Sequence, residues 1–138
     1  MRREQQVILR GSSTGCRWLY TGITLGLTSL CLDVYAQEPW YYTLGKEKAG
    51  QQANLCSTEQ SVLELALVFE QQGPRPGYAA LDRAHECSTR VQTFTPLALV
   101  KRVPIKTGDG GHYVVSFVKV KTSQGATEYL VTTRDVRD

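Results

Sequence analysis

No apolar run in this 138-residue chain reaches the ~20 residues that a permanent membrane helix needs. The longest uncharged stretch, Trp18 to Leu32, spans 15 residues. Gly22, Gly26 and several Thr and Ser weaken it further as an anchor. Histidine is scarce: His85 and His112 are the two in the chain. They share no zinc or calcium-loop spacing with the cysteines or carboxylates, so no metal site and no cofactor is expected. Excess charge is scarce as well. The chain is formally +3, but four arginines lie before residue 18. Residues 37–138 hold 12 Lys plus Arg against 11 Asp plus Glu. The sequence pI near 8.7 therefore gives no support to nucleic-acid binding. Internal repeats and low-complexity tracts are absent.

What is present at the start reads as an export signal. Arg2, Arg3, Arg10 and Arg17 precede the short apolar run, Asp33 ends it, and Val34-Tyr35-Ala36 follows. This is the order of a basic region, an apolar region and a cleavage site. Cleavage after Ala36 is expected, leaving a protein located in the periplasm or secreted, with no permanent membrane span. Cys31 follows Leu30 rather than a small residue, which argues against a lipid anchor. Removing residues 1–36 also removes Cys16 and Cys31. Cys56 and Cys87 remain, and an oxidising compartment favours a disulfide between them.

The remaining 102 residues fit one domain. Residues 37–54 read as an extended aromatic and polar arm, and 55–138 as the folded unit. Ser57 and Gln60 resemble a capping box, and Val62, Leu65, Ala66 and Phe69 recur on one helical face. Gly73-Pro74 stops this helix, and a second is expected over 78–86. Three strands follow: 97–105, 113–122 and 127–136. The expected fold is α+β: a disulfide-closed helical hairpin followed by a three-stranded antiparallel meander, able to curl into a small SH3-like barrel.

A two-residue turn at Gln124-Gly125 would pair Lys121 with Glu128, and Ile105 is expected opposite His112. One sheet face would then hold Leu97, Leu99, Val103, Val114, Val118, Val120, Tyr129 and Val131. The other would carry Val100, Tyr113, Val115 and Phe117, which is too apolar for water. The Trp40-Tyr41-Tyr42 arm is the candidate cover for it.

Catalytic patterns are weak. His85 and Cys87 are two apart, which turns them to different faces of a helix. Asp109, His112 and Ser116 share one hairpin, and His112 and Ser116 would stand about 13 Å apart along a strand. Gly108 to Gly111 joins two strands and opens no helix, so it lacks the amide cradle of a phosphate loop. Lys101, Arg102, Lys106, Lys119 and Lys121 form a modest basic zone that suits an anionic envelope polymer better than nucleic acid. The expected function is a non-enzymatic binding or accessory module of the cell envelope or secreted fraction. Its candidate contacts are Trp40, Tyr41, Tyr42, Tyr113 and Phe117, and its partner a protein or an envelope polymer. The alternatives are a small secreted hydrolase assembled only in three dimensions, and a structural subunit of an envelope assembly.

Overall fold

The computed structural model describes residues 40–138; the expected signal segment, with Cys16 and Cys31, lies outside the described residues. In chain order the elements are β1 (Tyr41–Thr43), β2 (Lys48–Cys56), α1 (Glu59–Gln72), α2 (Pro74–Arg83), β3 (Cys87–Lys106), β4 (His112–Thr122), β5 (Thr127–Thr132) and β6 (Asp135–Arg137). No helix among the described residues is long and apolar enough to cross a membrane.

The expected α+β arrangement is corrected on one main point. The described residues are mostly sheet, 53% strand against 24% helix, so the helices decorate a sheet rather than form half of the fold. Four antiparallel strands close in the order β2-β3-β4-β5, where a three-stranded meander was expected. The fourth strand is β2, which lies before the helices in sequence. It pairs with β3 along most of its length and with β5 at Asn54, Leu55 and Cys56, and this second pairing closes the sheet. Its middle residues, Gly50, Gln51 and Gln52, carry little strand propensity, so pairing rather than composition makes it a strand.

Strand β3 is 20 residues long and serves two partners. Its first part pairs with β2 and its second with β4, and Phe94 stands opposite both Lys48 and Thr122. Its register against β4 shifts between Pro96 and Ala98 and again between Leu99 and Lys101. Such bulges bend a strand, and they also accommodate proline.

Both hairpin loops differ from the expected turn. Thr122 N–H donates to the Ala126 carbonyl at 2.8 Å, and Thr107 N–H to the Gly111 carbonyl at 2.9 Å. Each therefore encloses three residues. Each ends on a left-handed glycine, Gly125 at φ 84° and Gly110 at φ 86°, as a three-residue hairpin loop requires. Relative to a two-residue turn, this moves the pairing by one residue. Lys121 faces Thr127, Glu128 faces Val120, and Ile105 faces Tyr113. Leu99 still faces Val118, because the bulges absorb the offset there. Glu128 is paired with Arg90 instead of Lys121.

The expected sheet face divides accordingly. Val103, Tyr129 and Val131 join one buried cluster with Val115 and Phe117; Val118 and Val120 join another with Leu55, Phe94 and Leu130. Leu97 and Val114 are exposed. Both faces of the sheet are therefore buried, each against a different cover. The face carrying Val115 and Phe117 is covered by α1 and α2, and not by the aromatic arm. Val62, Leu65, Ala66 and Phe69 are the four buried residues of α1 and supply that cover, as their spacing implies. Burying side chains of this size is worth roughly 1.5–3 kcal/mol for each large one.

The helix ends also shift. Thr58, not Ser57, is the N-cap, accepting from Ser61 N–H at 3.2 Å. Gln60 donates instead to Glu64 at 2.9 Å, one turn on. Helix α2 starts at Pro74, directly after Gly73, because proline at the first helical position gives up no hydrogen bond. The two helices then approach closely at Gly77. A Cβ there would stand 2.5 Å from the Phe69 ring. That ring is fixed by edge contacts to Tyr78 at 5.0 Å and Phe117 at 6.0 Å. Gly77→Ala should therefore destabilise by about 1–3 kcal/mol through overpacking. Helix propensity alone would stabilise by up to about 1 kcal/mol. Urea unfolding gives the sign directly.

Candidate functional site

Strands β1 and β6 form a two-stranded parallel pair, with Tyr41 opposite Asp135, Tyr42 opposite Val136 and Thr43 opposite Arg137. The pair ties the aromatic segment to the C-terminal residues. Side chains reinforce it. The Arg137 guanidinium lies over the Tyr41 ring at 4.3 Å and bonds Asp135 at 3.0 Å. This bond, with smaller help from Arg102, holds the Asp135 carboxyl below its ordinary value. The Arg134 guanidinium lies over Trp40 at 4.9 Å and over Tyr42 at 5.2 Å. Guanidinium groups favour aromatic faces of this kind.

The five sequence-predicted contacts are separated by the fold. Trp40 is 70% exposed, the most exposed large apolar residue described. Tyr41 is half-buried beneath Arg137. Tyr42 is buried, edge-on to Phe94 at 5.5 Å, and belongs to the cluster with Leu55 and Val118. Phe117 is fully buried under the helices. Tyr113 is half-buried against the same cluster, beside Tyr78. Burial pushes the Tyr78 phenol up, and Tyr113 adds to that. Tyr42 and Phe117 are thus core residues, and Trp40 is the one exposed residue of the five.

Trp40 borders a cleft of about 190 Å³. Its polar lining is Gln52 and Asn54 from β2, Thr132 and Thr133 at the end of β5, and Arg134; Tyr42, Tyr78, Leu130 and Val131 border it as well. Asn54 accepts from the Thr89 hydroxyl at 2.6 Å, which leaves its amide NH₂ as a donor. Thr132 accepts from the backbone N–H of Arg134 at 3.1 Å. Arg90 is bonded to Glu128, and Arg102 and Arg137 lie by Asp135. Arg134 has no carboxylate among the described residues, and stacking alone positions its guanidinium.

A larger groove of about 610 Å³ runs between α1 and the end of α2. Leu65, Val68 and Ala80 form apolar parts of it, and Ser61, His85 and Glu86 polar parts. Glu86 accepts from the Thr58 hydroxyl at 3.0 Å and from the Ser61 hydroxyl. These bonds, Ser61 first, hold its carboxyl below its ordinary value. The Ser61 hydroxyl is also within 2.7 Å of Thr58 Oγ. The groove thus gathers a hydroxyl, an imidazole and a carboxylate, with the hydroxyl bonded to the carboxylate.

The other sequence patterns resolve structurally. Cys56 and Cys87 stand opposite each other on β2 and β3, at disulfide distance with Cα atoms 4.0 Å apart. They bracket the helical pair. Asp109 caps its own turn, accepting from Thr107 and from Gly111 N–H at 3.1 Å, and Ser116 is buried. The described residues contain no group of three metal-ligating side chains. Within the basic zone, Lys101 is paired with Glu70 at 2.9 Å, and Arg102 donates to the Val136 carbonyl at 2.6 Å.

Sequence reasoning did not place Arg134 or Arg137 at the site. Only the pairing of β1 with β6 brings them to the aromatic group. It also missed Gln52 and Asn54, whose alternation in β2 is hidden by Gly50. Comparison with family models, curated proteins and solved structures found no match to this chain.

Proposed function

We propose that this chain is a non-enzymatic binding module of the cell envelope or secreted fraction, acting through the surface around Trp40. One observation carries the reading: a tryptophan 70% exposed, stacked by Arg134, at the mouth of a polar cleft. Tryptophan in the open loses its hydrophobic stabilisation, and Trp and Arg are among the residue types enriched at the hot spots of contact surfaces. The basic start of the sequence and the cysteine pair support export. The test is recovery of partners from an envelope extract, comparing the native protein with Trp40→Ala. Partners should be lost with the variant while its thermal unfolding stays close to that of the native protein. Equal recovery by a folded Trp40→Ala protein would refute the surface.

The second reading, a small secreted hydrolase, draws on the helical groove that gathers Ser61, His85 and Glu86. Turnover of an activated ester that disappears in Ser61→Ala would select it over the binding role.

A further inference from the structure

We infer that the cleft beside Trp40 binds an acidic saccharide, a sugar ring carrying a carboxylate. This inference rests on the binding role proposed above and names its ligand class. Three features of the cleft point the same way. The first is the open indole of Trp40, a flat apolar platform of the kind that covers the C–H face of a sugar ring. Arg134 lies against the ring and fixes it without enclosing it.

The second is the lining. Gln52, Asn54, Thr132 and Thr133 are neutral amides and hydroxyls, each able to donate and to accept. A ring bearing several hydroxyl groups needs that dual capacity. An acyl chain does not.

The third is Arg134 itself. Its guanidinium is pre-positioned between Trp40 and Tyr42 and lacks a carboxylate among the described residues. Arginine in such a site recognises a carboxylate through two parallel hydrogen bonds. A single fixed cation also separates this site from one for single-stranded nucleic acid. Such sites track a row of phosphates with several Lys and Arg, and the cleft has one.

The test uses the full chain carrying Trp18→Phe, so that Trp40 is the one remaining indole. Its emission is titrated with short oligomers of galacturonate, glucuronate and mannuronate, with their methyl esters, and with oligo-dT. The expected result is a saturable change with at least one acid oligomer. Its methyl ester should bind roughly 10-fold or more weakly, the effect of losing a charge-assisted bond. Arg134→Gln should bind acid and ester alike. Trp40→Ala, followed by calorimetry, should weaken binding by roughly 3- to 10-fold. The comparison of acid with ester uses no altered site residue, so it stands even where a variant unfolds. Equal binding of acid and ester, tighter binding of oligo-dT, or no saturable binding to any uronate would each overturn the inference. A protein that recovers envelope partners through Trp40 and ignores every uronate keeps the binding role and loses this ligand.

Discussion

Replacing Cys56 and Cys87 together by alanine should lower stability by roughly 3.7 kcal/mol. The bridge closes a loop with a sequence separation of 31, and this is the chain-entropy cost of releasing a loop of that size. Domains of this class have about 5–15 kcal/mol in total, so the loss is a large fraction. It corresponds to a fall in Tm of roughly 15–30 °C for a domain of about 100 residues. Alanine is the right replacement because Cys56 is fully buried. A serine hydroxyl there would add a desolvation cost unrelated to the bridge. The consequence extends beyond one contact. Cys56 and Cys87 face each other where β2 enters α1 and where the chain leaves the helices for β3. The bridge thus fixes the base of the helical pair to the strand pairing that closes the sheet. Thermal unfolding of the native protein with and without reductant, beside the double alanine variant, measures the effect. Reduced native protein and the variant should unfold alike.

Phe117→Ala should cost about 3–5 kcal/mol, the range for removing a fully buried phenylalanine. Phe117 meets Phe69 edge-on at 6.0 Å and is enclosed between β4 and α1. Phe69 in turn touches Tyr78 and closes over Gly77, so the cavity opens at the contact between the helices and the sheet. Urea unfolding should show a lower midpoint with an unchanged slope. The proposed binding cleft beside Trp40 is lined in part by Tyr78 and Val131, which pack with the Phe117 cluster, but Phe117 itself does not line it. A folded fraction of Phe117→Ala should therefore retain whatever Trp40 binds. This reverses the sequence-based expectation, in which Phe117 was a contact residue.

The two cases show what the sequence made legible. A periodicity of 3.6 over Val62, Leu65, Ala66 and Phe69 identifies the buried face of α1, because an amphipathic helix needs no partner to declare its apolar side. The cysteine pair is legible because only two remain after residue 36. Strand register is not legible to the same degree. Whether Gln124-Gly125 or Ser123-Gln124-Gly125 forms the turn changes every pairing by one residue, and both obey ordinary turn chemistry. The same ambiguity recurs at Gly108-Asp109-Gly110. Strand β2 was missed because it is largely polar and owes its state to partners distant in sequence, and β6 was merged with β5 into the one strand expected over 127–136. The candidate site shares that difficulty. Trp40 and Arg134 stand 94 positions apart, and only the parallel pairing of Tyr41 with Asp135 makes them neighbours.

Export is the premise that joins the cysteine bridge, the compartment and the proposed envelope ligand. Intact mass of the native protein, alkylated before and after reduction, tests it most directly. The account predicts a chain that begins at Gln37, takes up no alkyl group before reduction and two afterwards, on Cys56 and Cys87. A native mass that retains residues 1–36, or two thiols open to alkylation before reduction, would contradict it.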